Sequence, residues 1–305
     1  MIRKLLVGAV LHLFIMHAGA QDSSIKGLRE NTTRKIAEDT AHKDGWKTGG
    51  LFTLNLAQGS LSNWQGGGDK SSFSAVGFVN LFAAWREGKH VWNNTLDLGY
   101  GYINTTSLGA RKSDDRNDLL TKYGYEISNN LYASALFNFR SQFAAGYAYA
   151  SDPNGVETKN LTSEFMAPGY MLISLGLDYK PQPYLSVFAS PFTERWVFVA
   201  NDLLSSQGAY GVDTGATSRN EFGAFLSTEF NKDIMTNVSL KSRLDLFSNY
   251  KNRPGNIDIF WTNVLAMKIN KYLTANVALD LLYDDNAIAR MQIRQLLGIG
   301  FSAKF

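Results

Sequence analysis

The chain has 305 residues, 30 Lys and Arg against 27 Asp and Glu, and no cysteine. The near-even charge gives no reason to invoke nucleic acid, and the lack of cysteine fits an oxidising compartment used without disulfides. Past the first twenty residues there is no apolar run long enough for a membrane helix, so only a closed sheet could cross a bilayer.

The first segment carries a charged start at Arg3 and Lys4, an apolar stretch from Leu5 to Met16 and a small-residue site at Ala18-Gly19-Ala20. It reads as a cleaved secretory signal peptide over residues 1–20, with the mature chain starting at Gln21. No Cys follows it, which excludes a lipoprotein. Removing Arg3 and Lys4 leaves 28 basic residues against 27 acidic ones. Residues 21–45 are polar and poor in large apolar side chains, and read as a flexible periplasmic arm.

From Trp46 onward the hydrophobic period is two, so each segment has one apolar and one polar face. Phe52, Leu54 and Leu56 alternate with Thr53 and Asn55. Phe73, Ala75, Val79, Leu81 and Trp85 share a face, as do Trp92, Leu96, Leu98, Tyr100 and Tyr102. The same pattern recurs at Leu131–Phe139, Met171–Tyr179, Val238–Leu246 and Leu273–Leu281, and more weakly near residues 119–126, 185–199, 218–230 and 257–269. The last of these allows no consistent choice of face, because Asp258 and Asn263 conflict. The closing segment from Met291 to Phe305 ends on an aromatic residue. The count is about twelve strands, each near the ~9–11 residues that a tilted membrane strand needs.

Short connections at Glu87-Gly88-Lys89, Ser128-Asn129-Asn130, Pro181-Gln182-Pro183, Asn231-Lys232-Asp233 and Asn270-Lys271 alternate with longer ones at 58–70, 104–117, 144–169, 200–217, 248–256 and 284–289. Short periplasmic turns and long outer loops are the habit of membrane barrels. Aromatic residues cluster at two levels: Trp85, Trp92, Tyr179, Tyr184, Phe230, Tyr272 and Phe305 by the short turns, and Tyr100, Tyr102, Phe143, Tyr170, Tyr250 and Tyr283 on the outer side. Pro191 falls inside a strand and predicts a bulge or break there. A soluble sandwich would explain the alternation but not these features together. The expected fold is all-β: a transmembrane antiparallel up-and-down barrel over residues 46–305, in contact with outer-membrane lipid.

Several segments resemble an uncharacterised Gram-negative outer-membrane barrel family, a domain of unknown function. They are Trp46-Lys47-Thr48-Gly49-Gly50, Ser62-Asn63-Trp64-Gln65-Gly66-Gly67, Arg111-Lys112-Ser113-Asp114-Asp115, Gln142-Phe143-Ala144-Ala145-Gly146-Tyr147, Ala167-Pro168-Gly169-Tyr170, Ser190-Pro191-Phe192-Thr193 and Leu297-Gly298-Ile299-Gly300-Phe301. The resemblance implies the fold and the outer membrane, and brings no catalytic residues. Outer-membrane barrels commonly close with such a strand, and Phe301 and Phe305 are the expected signal for the barrel-assembly machinery.

Some barrels are outer-leaflet hydrolases, but the mature chain keeps only His42, in the arm, and His90, at a short turn. A His-based dyad or triad has no base on the outer side, so no enzyme activity is expected. Asp114-Asp115 and Asp284-Asp285-Asn286 put oxygen donors in outer loops without a full ligand set, so neither a metal nor a cofactor is expected. Gly66-Gly67-Gly68 lacks the Lys and helix of a phosphate loop. Trp64 beside it is expected to pack into the barrel mouth.

The polar faces direct Asp97, Lys122, Glu126, Arg140, Asp178, Lys180, Glu221, Glu229, Lys241, Arg243, Asp245, Asp280 and Arg294 into the lumen. Gly99, Gly101, Gly124, Gly176, Gly223 and Gly298 on those faces favour some water-filled space. The leading functional expectation is passage or binding of a small solute, with the lumen charges as filter. The competing ones are a closed structural or adhesion barrel acting through its outer loops and, behind it, a hydrolase built on Asp114, Asp115, Asp284 or Asp285. The sequence leaves the solute and the oligomeric state open.

Overall fold

A computed structural model describes residues 44–62, 69–151, 157–270, 273–284 and 288–304. The expected signal peptide, residues 21–43 of the expected arm with His42, and Trp64, Tyr272, Asp285 and Phe305 lie outside the described residues. No helix among the described residues is long and apolar enough to cross a membrane.

Fourteen strands are described: Gly45–Ser60 (β1), Ser71–Glu87 (β2), His90–Thr105 (β3), Gly109–Ser128 (β4), Leu131–Ser141 (β5), Gly146–Ser151 (β6), Glu157–Ser163 (β7), Gly169–Gln182 (β8), Leu185–Phe198 (β9), Ser218–Met235 (β10), Val238–Asn249 (β11), Ile257–Lys268 (β12), Leu273–Asp284 (β13) and Ile288–Lys304 (β14). Twelve of them close into one antiparallel barrel, each paired with its chain neighbour, while β6 and β7 form a separate hairpin between β5 and β8. Closure gives the backbone of a sheet its partners without help from water. The seam is the exception in extent. Among the described residues, β1 and β14 pair from Leu51 with Lys304 to Leu54 with Phe301.

The connections β2–β3, β4–β5, β8–β9, β10–β11 and β12–β13 define a turn end, and the others a loop end. Asn130 and Asn237 hold left-handed backbone at two of the tight turns, with φ of 63° and 62°. Asn tolerates that conformation at little steric cost, which is why short polar pairs mark these corners. Two turns sit away from their expected places. Asn231-Lys232-Asp233 continues β10, and the corner falls at Thr236-Asn237. Pro181 and Gln182 end β8, with the corner at Pro183-Tyr184.

Three expected outer loops are largely replaced by strand. The residue 104–117 loop shrinks to a turn at 106–108, because β4 begins at Gly109 and runs for 20 residues. At ~3.3 Å per residue that far exceeds the ~9–11 residues needed to cross a bilayer, so the wall continues outside it. β13 and β14 likewise run to Asp284 and from Ile288. The 144–169 loop contains the β6–β7 hairpin. Asp114, Asp115 and Arg116 look like loop composition in the sequence, yet they are buried in β4.

The outer wall is apolar. Leu175, Leu177, Ile293, Ile299 and Phe301 are all exposed there. Trp46 and Trp92 stack at 5.8 Å near the turn end, and Tyr184 and Phe230 at 5.7 Å. Polar atoms on this wall are satisfied by neighbours on the same face. Trp92 Nε1 donates to Thr121 Oγ1 (2.7 Å), whose hydroxyl donates to Asn94 (2.6 Å). Trp261 Nε1 donates to Ser242 Oγ (2.9 Å), which donates to Asn263 Oδ1 (2.8 Å). Unpaired polar groups in hydrocarbon cost several kcal/mol, so such clusters are what allow Asn on this face. They also settle β12: Asn263 faces out, and Phe260, Thr262 and Val264 are buried inside.

Pro191 produces a bulge. The pairing of β9 shifts by a residue against β10 between Gly223 and Phe225, and against β8 between Leu175 and Leu177. Ser190 Oγ donates to the carbonyl of Leu175 at 2.8 Å, and Thr193 Oγ1 donates to Ser190 Oγ at 2.9 Å, partly replacing the lost ladder. Past the bulge the inward set changes from even to odd residues, as bulges commonly re-aim a strand. That change turns Arg195 into the lumen.

The candidate chamber in the barrel lumen

The inward faces of β4, β5, β8, β9, β10 and β11 contribute Leu120, Leu136, Leu172, Phe188, Phe225 and Phe247 to one contiguous buried cluster. Phe188 and Phe225 lie 6.2 Å apart between ring centroids. An apolar layer thus occupies the lumen on one half of the wall. The expected set of inward charged residues did not include it, because single Leu and Phe residues on otherwise polar faces look like noise in an alternating pattern. Along β4, β5, β8, β9 and β10, polar and charged side chains lie on both sides of this layer.

Glycines do not hollow the lumen out. The side of Gly99 is occupied by Phe78 and Arg116, whose atoms would stand 2.8 and 2.9 Å from a Cβ there. At Gly176 a Cβ would collide with the backbone of Ala189, and at Gly223 with that of Ser248. These residues permit close approach of chain and side chain rather than water.

On the turn side of the apolar layer, Asp178 is 1% exposed and receives three donors. Lys122 Nζ is 2.7 Å away, Lys180 Nζ 3.4 Å, and Ser186 Oγ donates at 2.6 Å. Lys180 also stands over the Tyr132 ring at 4.6 Å. Nearer the rim, Arg86 and Glu126 pair at 3.5 Å. Glu229 is more exposed and stands 4.0 Å from Arg243, and Lys241 is half-buried. Asp97 and Asp280 are buried, with Asn80 donating to Asp97. Arg294 lies opposite Asp280 in the β13–β14 ladder. Arg116, fully buried, stacks over Phe78 at 4.8 Å.

Against the apolar layer lies a cavity of about 120 Å³. Four arginines line it, Arg140, Arg195, Arg219 and Arg243, with Asp245, Asp258 and Asp284. Phe225, Phe247, Phe260, Leu136 and Leu172 supply its apolar surface, and Tyr170 and Tyr210 also face it. Tyr170 is therefore a chamber residue and not part of the outer aromatic belt. Arg195 binds the strands together: its Nε donates to Glu221 Oε2 at 2.6 Å, its Nη2 to Asp258 Oδ2 at 2.7 Å, and its guanidinium sits 4.2 Å over the Phe247 ring. Arg243 Nε donates to Asp245 Oδ1 at 2.8 Å, which also accepts from Ser227 at 2.5 Å. Arg140 is less well provided. Its Nε stands 3.8 Å from Asp118 Oδ2 and has no hydrogen-bond partner among the described residues. Arg219 Nε likewise has none there, while its Nη1 stands 3.4 Å from Glu221 Oε1.

Of the expected lumen residues, the chamber gathers Arg140, Arg243 and Asp245, with Glu221 bonded just behind its wall. It adds Arg195, Arg219 and Asp258, which the alternation did not assign.

At the loop end, the β5–β8 and β9–β10 connections pack on each other. Ala167, Val199, Leu204 and Val212 form a small buried cluster with Leu161, Ala209 and Tyr210 packed on it. Leu204 belongs to a short helix, Asp202–Ser206 (α1), capped by Asn201. Tyr210 Oη donates to the carbonyl of Thr162, and Asn201 Nδ2 donates to Glu164 at 2.7 Å. Asp114 and Asp115 are buried in β4 rather than loop residues, displaced by a bulge opposite Gly101 and Tyr102. Asp115 accepts from the amides of Phe143 and Ala144, both at 2.8 Å, and from Lys112 at 2.9 Å. Arg111 pairs with Glu157 and stacks on Tyr149 at 3.8 Å, fastening the β6–β7 hairpin to β4. At the other end of the barrel, His90 Nδ1 lies 2.5 Å from Tyr123 Oη. No group of three or more His, Cys, Asp or Glu able to hold a metal occurs among the described residues.

Residues 56–147 match the profile of a family described as a protein of unknown function (DUF3078). Three of the segments that carried the sequence resemblance fall inside that match: 62–67, 111–115 and 142–147. None of the curated proteins matches the chain. Among solved structures, the translocator domain of the autotransporter NalP from Neisseria meningitidis is similar at 10% identity and TM-score 0.44, over 93% of this chain and 97% of that one. An outer membrane channel from Pseudomonas putida F1 is similar at 11% identity and TM-score 0.42, over 89% and 99%. Outer membrane phospholipase A from Escherichia coli is similar at 11% identity and TM-score 0.39, over 93% and 98%. The barrel assignment rests on the chain's own closed sheet and apolar outer wall.

Proposed function

We propose that this is an outer-membrane barrel that holds a small solute in its lumen, and that its resting lumen is closed to free ion flow. The observation that carries the reading is the chamber set against a contiguous layer of Leu and Phe side chains. Apolar constrictions block ions by excluding water, while adjacent polar walls can hold a solute. Tyr210, from the packed loops, lines the chamber, which supports access from the loop end. The reading is non-catalytic: His90 stands at the opposite end from the chamber and hydrogen-bonds with Tyr123.

Single-channel recording in a planar bilayer tests it, with heat-modifiable migration confirming a folded barrel. The wild type is expected to be silent or to open rarely. Shortening Phe225 and Phe247 to Ala together should give stepwise conductance, whose ion selectivity shifts on adding Arg243→Glu. Large steady steps from the wild type, unchanged by the Phe substitutions, would overturn the closed-lumen reading. Silence in every variant, with no solute bound, would move the function to the outer loops.

A further inference from the structure

We infer that the solute is an organic monoanion with a short apolar body, a monocyclic aromatic or medium-chain carboxylate; this rests on the proposed solute-binding role. Three observations converge on it. The first is the unspent donors. Arg140 and Arg219 line the same cavity, and their Nε atoms lie buried without a hydrogen-bond partner among the described residues, whereas the Nε atoms of Arg195 and Arg243 donate to carboxylates. A buried donor left unpaired is costly, and a guanidinium is shaped to receive a carboxylate. The second is repulsion between guanidiniums. Arg140 feels the positive charge of Arg243 alongside the attraction of Asp118, Asp245 and Tyr170, and an added anion offsets that one repulsion. The third is the rest of the surface. Phe225, Phe247, Phe260 and Leu172 offer an apolar seat beside the arginines.

Size narrows the class. A cavity of about 120 Å³ has room for about ten non-hydrogen atoms, taking ~10–15 Å³ of such volume per water. That admits one ring or a six-carbon carboxylate. Of the three carboxylates that line the cavity, Asp258 and Asp245 are each bonded to an arginine, which weighs against a cation.

The test uses the mature barrel folded into lipid nanodiscs, with binding read by calorimetry. The probes are benzoate, hexanoate, acetate, benzyl alcohol and benzylamine. Benzoate or hexanoate should bind at least tenfold more tightly than benzyl alcohol, benzylamine or acetate, and their ratio separates an aromatic from an aliphatic source. Arg140→Gln should weaken the carboxylate at least tenfold and leave benzyl alcohol unchanged; Arg219→Gln serves where the first variant does not migrate as a folded barrel. Equal binding of benzyl alcohol or benzylamine overturns the anion class while leaving a solute-binding barrel intact. Equal binding of acetate overturns the role of the apolar seat. Failure of every probe on folded wild type overturns this inference together with the binding role.

Discussion

Replacing Asp178 by Asn tests the lumen electrostatics most directly. The carboxylate is almost fully enclosed and is the shared counter-ion of Lys122 at 2.7 Å and Lys180 at 3.4 Å. Both lysine side chains are themselves buried, with about a tenth of their surface exposed. Asn keeps the shape and an acceptor for Ser186, but leaves two ammonium groups without a charge to meet. Removing one member of a buried pair costs about 3–5 kcal/mol, because the remaining charge is stranded away from water. At 1.4 kcal/mol per decade this is a hundredfold to several-thousandfold loss in the folding constant. Urea unfolding of the barrel in phospholipid vesicles, followed by tryptophan fluorescence and gel migration, measures it. The slope against urea should stay constant while the midpoint falls. Adding Lys122→Met should recover part of the loss by removing one stranded charge. A change within about 0.5 kcal/mol for Asp178→Asn, or no recovery in the double variant, would refute the view that these charges are shielded from water.

Other perturbations probe the remaining layers. Leu175→Lys places a charge on the exposed outer wall of β8 and should cost about 2–4 kcal/mol if that position lies near the bilayer centre, measured by the same vesicle unfolding. Phe247→Ala should cost about 3–5 kcal/mol by leaving a void in the apolar layer and removing the face under Arg195; a loss below about 1 kcal/mol would mean the layer is not packed. Asp115→Asn weakens the anchorage of the Phe143 and Ala144 amides and of Lys112, so limited proteolysis should cut within residues 142–168 faster while barrel migration is unchanged. Gly176→Ala should prevent folding, since a Cβ there meets backbone rather than a movable side chain.

The wall was far more legible in the sequence than its contents. Period-two patterns in β3, β5, β8, β11 and β13 arise because lipid and lumen demand opposite chemistry on alternate residues, so twelve strands could be counted from residues alone. β12 defeated the same logic because Asn263 on the lipid side is satisfied by Ser242, a pairing across strands that no single segment displays. Arg195 was unassigned for a related reason: the bulge at Pro191 changes which residues of β9 face in, and a proline marks a bulge without fixing the register beyond it. Arg116, Asp114 and Asp115 lay in a stretch so charged that it resembled a loop. Their burial depends on β3 continuing far enough to pair with them. The apolar layer was the largest omission. Each of its six strands supplies one residue, so the layer exists only once the sheet is rolled.

The seam where β1 meets β14 sets the mechanical character of this wall. Among the described residues, every other junction in the ring is stitched over ten or more positions, as between β5 and β8, whereas the first and last strands share four. A cylinder fastened this unevenly parts first along its shortest row, so heat or tension should unroll it from that line while the rest of the sheet stays curled. Amides of residues 55–60, which among the described residues pair in the ladder with β2 and not with β14, should then exchange with solvent deuterium before those of any strand on the opposite side.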